Sequence, residues 1–163
     1  MEPFIINTRL SIQDYVKVNY YLFFKKPSSI VMILIGLLML ASVIFPTSDD
    51  NEFPLFNLWI GLFCIIGLPI IIYYSARKNY YANPRIGETI VYKFDREVVH
   101  VKGESFESTY TWEKVYRITE TGSWFLIWQN KQVANIVPKK NFSPEQLVKF
   151  NIFLKEHIVR KGK

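Results

Sequence analysis

The sequence predicts an α+β membrane protein, in which a two-helix transmembrane hairpin is followed by an antiparallel β-barrel capped by a C-terminal helix. Two stretches without a charged side chain, each long enough to cross a bilayer, predict the hairpin. Behind them the hydrophobic pattern changes to a period of two, which indicates strands. A helix cap followed by an amphipathic pattern then indicates the closing helix.

The two uncharged stretches cover residues 27–48 and 53–76. About 20 apolar residues in a helix cross a hydrocarbon core of about 30 Å, so both stretches are long enough. A buried core helix would carry a polar stripe, and a cleavable signal peptide would begin earlier and end at a small-residue cleavage site. We therefore expect spans at 28–46 and 54–76, joined by an outer loop at 47–53. Because the apolar runs 30–45 and 58–72 contain no ionisable side chain apart from Cys64, the hairpin is interpreted as an anchor rather than a transporter.

Charge predicts the orientation of this hairpin. The acidic residues Asp49, Asp50 and Glu52 lie between the spans, whereas basic residues flank their other ends. Positively charged flanks stay on the cytoplasmic side, so both chain termini are predicted to be cytoplasmic. The predicted anchors at the inner membrane interface, basic and aromatic, are Lys25, Lys26, Arg77, Lys78, Tyr73 and Tyr74.

Residues 1–27 are predicted to lead into the first span. Residues 3–10 have the pattern of a short extended segment. Ser11 and Asp14 then have the spacing of a capping box, and apolar residues follow at helical spacing. We expect a helix that runs along the membrane interface into the hairpin.

Residues 77–163 are predicted to fold as one cytoplasmic domain. Six short alternating segments between Ile86 and Val137, separated by turn residues, predict an antiparallel sheet. Ser143, Pro144 and Gln146 then supply a helix cap, a proline in the first turn and a capping-box partner. The helix they open is predicted at about 144–160, with Leu147, Phe150 and Leu154 on one face, and it would close the open end of a bent sheet.

Composition excludes several classes of function. Twenty Lys and Arg against 14 Asp and Glu give a net charge of +6, and most of the excess lies in residues 77–163. These charges alternate with acids instead of clustering, so nucleic-acid binding is not expected. One cysteine and two histidines cannot form a disulfide or a Cys/His metal cluster, and neither a metal nor a cofactor is predicted. Without a recognisable catalytic motif, the chain is not expected to be an enzyme.

Several strings in the C-terminal half carry a family resemblance. Tyr110-Thr-Trp112, Ile118-Thr-Glu-Thr121, Trp124-Phe-Leu-Ile127 and Ile136-Val-Pro-Lys-Lys-Asn-Phe142, placed behind two spans, resemble the YcxB-like family of bacterial membrane proteins. The resemblance implies a bacterial inner (plasma) membrane protein. It also implies a cytoplasmic domain similar to pleckstrin-homology domains, with two near-orthogonal sheets and a C-terminal helix. It implies no particular biochemical activity.

The resemblance also indicates where an anion could bind. Pleckstrin-homology domains often hold lipid phosphates around the loop that joins their first two strands. Here the matching stretch, Lys93-Phe-Asp-Arg96, is short and contains an acid, so that mode is not predicted. The alternative candidate is an anion or lipid-headgroup contact by Lys139 and Lys140, before the helix cap, with Arg117 nearby. Lysines in a loop can also be merely solvated.

We therefore expect a non-enzymatic, membrane-anchored interaction module. Its partners would be membrane lipids and a protein at the inner leaflet, and the sequence leaves a homo-oligomer open. One alternative is an immunity protein that neutralises an envelope-targeting toxin, which a toxin gene next to this one would favour. Another is an accessory subunit of a membrane export or signalling complex.

Overall fold

The computed structural model of the chain describes residues 3–45 and 54–158, with side chains up to residue 155. The predicted loop at 47–53 and the predicted helix end near residue 160 lie outside the described residues. The chain forms two compact units. We call Met1–Leu10 with Pro84–Lys163 the sheet unit, and Ser11–Asn83 the helical unit.

The helical unit is built from apolar and aromatic helices. Ser11 caps the first of them, and its hydroxyl accepts a hydrogen bond from the Asp14 N–H at 3.1 Å, which confirms the predicted cap. A π-helical turn at Phe63–Gly67 joins the third helix to the fourth without a break. The helices are α1 (Ile12–Phe24), α2 (Pro27–Ile44), α3 (Leu55–Leu62) and α4 (Leu68–Ala82).

Two stretches of this unit are long and apolar enough to cross a membrane. They are α2, with 18 residues, and the continuous helix Leu55–Ala82, with 28 residues. In each, 11% of the most apolar 18-residue window is buried within the molecule. The described part of the chain therefore contains the two apolar helices that the sequence predicts.

The two apolar helices run antiparallel and approach closely at glycines. A Cβ on Gly36 would lie 2.6 Å from the Cβ of Cys64, and one on Gly61 would lie 2.6 Å from the Leu40 side chain. Near the far end of the pair, the Asn57 side-chain amide donates to the Ser42 hydroxyl at 2.9 Å. Small residues at a helix interface permit such close backbone contact.

Pro69 lies in the second apolar helix, and a distortion of this helix lies just before it. Proline has no N–H for the helical ladder, and the preceding residues Phe63–Gly67 form the π-helical turn. The hydroxyl of Tyr20 on α1 donates to the Pro69 carbonyl at 2.8 Å. Helix α1 packs along α4, where the rings of Tyr15 and Tyr80 lie 5.9 Å apart.

The sheet unit contains two antiparallel sheets. The four-stranded sheet has the order β1-β2-β3-β4 and the three-stranded sheet the order β5-β6-β7. All six predicted strand segments are present, with ends that differ from the predicted ones by up to three residues. The strands are β1 (Phe4–Arg9), β2 (Thr89–Phe94), β3 (Val98–Lys102), β4 (Glu107–Thr111), β5 (Arg117–Glu120), β6 (Trp124–Trp128) and β7 (Ala134–Pro138).

The extended segment at the N-terminus is a full member of the first sheet. Strand β1 pairs antiparallel with β2, from Phe4 opposite Phe94 to Arg9 opposite Thr89. Ile6 and Thr8 of β1 are buried at 2% and 3% exposure. The helical unit is thus inserted in the chain between two neighbouring, hydrogen-bonded strands.

The expected β-barrel is confirmed only as antiparallel sheets, because these sheets do not close into a barrel. Among the described residues, no ladder joins β4 to β5, so the two sheets stay separate. The chain between these strands forms a 3-10 turn at Trp112–Lys114. The indole of Trp112 is buried there and its Nε1–H donates to the Asp95 carbonyl at 2.8 Å. This anchored turn prevents β4 and β5 from forming a hairpin.

The core of the sheet unit is aromatic and is closed by helix α5 (Pro144–Ile158), as predicted. Phe150 on α5 is fully buried, and its ring centroid lies 4.8 Å from that of Phe94 and 4.9 Å from that of Phe125. The predicted capping box is present, because Ser143 and Gln146 each donate a backbone N–H to the side chain of the other.

Candidate functional site

The predicted membrane anchors lie together on the helical unit as pairs of basic and aromatic side chains. The Arg77 guanidinium donates to the Tyr73 hydroxyl at 2.7 Å and lies over the Tyr73 ring at 5.4 Å. In the same way, the Lys25 ammonium donates to the Tyr21 hydroxyl at 3.0 Å. Partners one helical turn apart hold each cation beside an aromatic ring.

The remaining predicted anchors are also exposed, two on α4 and one directly before α2. Tyr74 is 66% exposed, and Lys26 and Lys78 are also exposed. The Gly36–Cys64 and Leu40–Gly61 contacts set the antiparallel register of α2 against Leu55–Ala82. Extended by the helical rise, this register puts Lys26 at about the level of Tyr74. The anchors from the two helices thus share one level along the hairpin.

Lys139 of the predicted anion site is already engaged. Its ammonium contacts the Glu120 carboxylate at 2.6 Å and lies 4.9 Å from the centroid of the Phe125 ring. The Lys139 side chain is 18% exposed, whereas that of Glu120 is 52% exposed. An anion at this position would have to compete with Glu120 for the ammonium.

Arg117 lies apart from Lys139. It begins β5, whereas Glu120 ends this strand, which separates the two ends by about 10 Å. Side chains alternate along a strand, so Arg117 and Glu120 point to opposite faces of the sheet. The Arg117 guanidinium lies over the ring of buried Trp128 at 4.6 Å. The structure therefore does not bring Arg117 together with Lys139.

Lys140, unlike Lys139, is an exposed residue of the predicted site. It is exposed in the 3-10 turn Lys139–Asn141, directly before the capping box of α5. A headgroup contact by Lys139 and Lys140 stays a prediction, confined to this turn.

Comparison with known proteins locates the family resemblance within the sheet unit. Residues 94–154 match the model of the YcxB-like protein family. The resemblance read from the sequence is confirmed over this stretch. No curated protein and no solved structure matches the chain.

The YcxB-like region includes the predicted anion site and most of the aromatic core. It runs from the last residue of β2 to Leu154 on α5, so it contains Arg117, Lys139 and Lys140. The two apolar helices and β1 lie outside it. The family match therefore concerns the sheet unit alone. The helical unit is interpreted from its exposed apolar side chains.

Tyr110 and Glu88 are among the ionisable groups of the sheet unit that have shifted pKa values. Burial raises the pKa of Tyr110 to about 12, although the Asn135 side-chain amide donates to its hydroxyl at 2.9 Å. Hydrogen bonds from the hydroxyl and the backbone N–H of Ser105 lower the pKa of the Glu88 carboxyl. The hydrogen bonds of both groups connect segments that are distant in sequence. Among the described residues, no group of three or more Cys, His, Asp or Glu side chains could hold a metal ion.

Sequence patterns missed the contacts that close the β1 edge of the first sheet. The side-chain amides of Gln146 and Asn141 donate to the carbonyls of Ile5 and Asn7, at 3.3 and 3.0 Å. These groups lie more than 130 residues apart in the chain, so no local pattern could indicate them. The available signal in the sequence is the alternation of Phe4, Ile6 and Thr8. This pattern indicates a strand, but it does not indicate which strand or side chains pair with it.

Proposed function

We propose that the protein is a membrane-anchored interaction module. The helical unit would span the bacterial inner membrane as a hairpin with both chain ends in the cytoplasm. The sheet unit, similar to a pleckstrin-homology domain, would contact a protein or lipid partner at the inner leaflet. The observation that carries the proposal is the exposed apolar surface of α2 and Leu55–Ala82.

The apolar surface supports insertion because water would solvate it poorly. Leu38, Phe56 and Trp59 are 69%, 74% and 68% exposed, and many other large apolar side chains on these helices are similarly open. Contiguous exposed apolar surface of this extent marks a membrane or protein interface. The anchors at one level, with cations held beside tyrosines, are typical of a membrane–water boundary.

A charge placed on the apolar surface tests the anchor. We expect Leu38→Lys to reduce the membrane-bound fraction strongly, because a lysine at a helix centre costs about 2.5–3.5 kcal/mol on insertion. Val148→Lys on α5 is the matched control, since Val148 is 58% exposed and lies outside both apolar helices. Fractionation with carbonate extraction, and reporters fused to either chain end, give the readout. Wild-type protein in the soluble fraction, or reporters outside the cell, would contradict the proposal.

Co-purification from solubilised membranes tests the partner. We expect the full chain to enrich a protein or an anionic phospholipid relative to bulk membrane. The double variant Lys139→Gln/Lys140→Gln should lose several-fold of any lipid enrichment, whereas Lys131→Gln, an exposed lysine in the β6–β7 turn, should keep it. Recovery of neither class of partner by the wild-type chain would count against an interaction module.

A further inference from the structure

The first sheet has one closed and one open edge. At the closed edge, the outward carbonyls of Ile5 and Asn7 accept the amides of Gln146 and Asn141. At the other edge, β4 pairs with β3, and within the described residues no strand or side chain hydrogen-bonds its outer side. Glu107, Ser108 and Thr109 are exposed there.

The ladder fixes which backbone groups of β4 are free. The Trp112 N–H donates to the Glu97 carbonyl, and the Gly103 N–H donates to the Phe106 carbonyl. Hydrogen-bonded pairs alternate in an antiparallel ladder, so Ser108 and Tyr110 direct their backbone groups toward β3. By the same alternation, Glu107, Thr109 and Thr111 direct theirs away from the sheet.

An edge of this kind is usually blocked in natural proteins. Lysine, proline or a bulge prevents a second chain from adding to the sheet. Strand β4 reads Glu-Ser-Thr-Tyr-Thr and has no lysine, proline or bulge; its protection is limited to its five-residue length and to one charge, Glu107, at its start. Its register with β3 is continuous from Glu107 to Thr111.

We propose that β4 is a self-association edge, which pairs antiparallel with β4 of a second copy of this chain. With Thr109 opposite Thr109, the outward groups of Glu107 meet those of Thr111 in the other copy. Three hydrogen-bonded pairs then exchange about six backbone hydrogen bonds. The two Glu107 carboxylates lie at opposite ends of the paired strands, so no like charges face each other. The two Thr109 side chains face each other and form a favourable cross-strand pair.

A second copy fits this edge better than an unrelated peptide because the strand is complementary to itself. Its one charged residue falls opposite a threonine, and both copies offer the same three outward residues. The two-fold arrangement also closes, which gives a dimer with one continuous eight-stranded sheet.

Disulfide trapping of the full chain tests the pairing. Cys64, the native cysteine, is replaced by alanine, and Thr109→Cys is compared with Asn7→Cys on the closed edge after mild oxidation in membranes. Facing residues of a hydrogen-bonded pair lie about 5.5 Å apart at Cα, within disulfide range. We expect at least ten-fold more disulfide dimer for Thr109→Cys. Equal cross-linking at the two edges, or a Thr109→Cys adduct with a different polypeptide, would overturn the assignment to a second copy.

A charge variant tests the same pairing without cysteine chemistry. Thr109→Lys places two ammonium groups opposite each other and should lower the dimer fraction of the detergent-solubilised chain at least five-fold, measured by sedimentation. Asn7→Lys, on the closed edge, should leave the dimer fraction unchanged. Circular dichroism of each variant verifies that the fold is kept. A wild-type chain that stays monomeric at all concentrations would overturn the proposal, as would a Thr109→Lys dimer as stable as the wild type.

Discussion

Phe150 is the residue on which the aromatic core of the sheet unit depends. Its ring contacts those of Phe4, Phe94, Trp112, Phe125 and Phe142, which come from β1, β2, β6 and two connecting turns. Phe150→Ala should therefore lower the free energy of unfolding by about 3–5 kcal/mol, the usual cost of a buried phenylalanine. The measurement is thermal unfolding of the detergent-solubilised chain, followed by near-ultraviolet circular dichroism.

The matched control for Phe150 lies on the same helix. Ile152 is 54% exposed, so Ile152→Ala should change the unfolding temperature little. Similar losses for Phe150→Ala and Ile152→Ala would mean that α5 does not close the core as described.

Tyr110 should make the sheet unit sensitive to alkaline pH. Its pKa is raised to about 12 by burial, whereas an unfolded tyrosine titrates near about 10. The folded state therefore binds the Tyr110 proton more tightly than the unfolded state does. The contribution of this proton to the free energy of unfolding is fully present below pH 10 and is lost as the pH rises toward 12. One such group contributes a slope of up to about 1.4 kcal/mol per pH unit in this window.

Replacing Tyr110 tests this slope. Tyr110→Phe should flatten the fall in unfolding temperature between pH 10 and pH 11.5. Part of the fall should remain, because burial also raises the pKa of Tyr92. Tyr116→Phe, at a half-exposed position, is the control. An unchanged slope in Tyr110→Phe would contradict the buried environment of this hydroxyl.

At the scale of the elements, the close approach of α2 to the continuous helix Leu55–Ala82 depends on Gly36. A Cβ there would lie 2.6 Å from the Cβ of Cys64, which is closer than real Cβ contacts, so the helices would have to move apart. Gly36→Ala should destabilise the helical unit by about 1–3 kcal/mol, the usual cost of overpacking. The unfolding temperature in detergent provides the measurement.

Gly122 offers a matched control, because a Cβ at this turn position meets nothing within 4 Å. Gly122→Ala should therefore leave the unfolding temperature nearly unchanged. If Gly36→Ala also left the unfolding temperature unchanged, the contact between α2 and Leu55–Ala82 would be looser than the structure describes.

The sequence predicts elements well where their signals are local. The Ser11 and Ser143 caps, the apolar runs and the alternating strands each depend on residues within a few positions of one another, and the structure contains them all. Pairing between strands is not local. That β1 adds to β2, and that Trp112 holds a turn between two separate sheets, follows from contacts across many residues, so the barrel expectation is confirmed only as antiparallel sheets.

The predicted sites divide in the same way. Anchors such as Arg77 and Tyr73 are one helical turn apart, and the structure pairs them as the spacing suggests. Arg117 and Lys139 were associated without a known sheet register. The register of β5 with β6 places Arg117 opposite Trp128, whereas Lys139 pairs with Glu120 at the other end of β5. Sequence alone cannot supply that register, because β6 is a continuous apolar run that fits several alignments with β5.

At the scale of the whole molecule, the chain has an inserted organisation. The sheet unit begins with β1, is interrupted by residues 11–83, and continues with β2. Arg9 and Thr89, the last and first residues of these strands, are direct partners in the ladder. The two points where the chain leaves and re-enters the sheet are therefore adjacent, and a short loop could connect them.

Deleting the insertion should leave a folded domain. With Leu10 joined directly to Pro84, six residues would connect Arg9 to Thr89, a length that antiparallel strands accommodate in a loop. The deletion removes both apolar helices, so the shortened chain should be water-soluble without detergent. It should unfold cooperatively on heating and show the dispersed NMR signals of a packed core.

The fragment 84–163 is the control that gives this experiment its meaning. Without β1 the fragment loses the buried Ile6 side chain and the Phe4 ring that packs on Phe94 and Phe150. Burial of each such side chain stabilises the folded state by about 1.5–3 kcal/mol. It also exposes the edge of β2. We expect it to aggregate or to unfold at a much lower temperature than the joined chain.

If the fragment were as stable as the joined chain, β1 would be dispensable and the sheet unit would be a simple C-terminal domain. If the joined chain failed to fold while the full chain remained folded, the sheet unit would depend on the helical unit for more than chain connection.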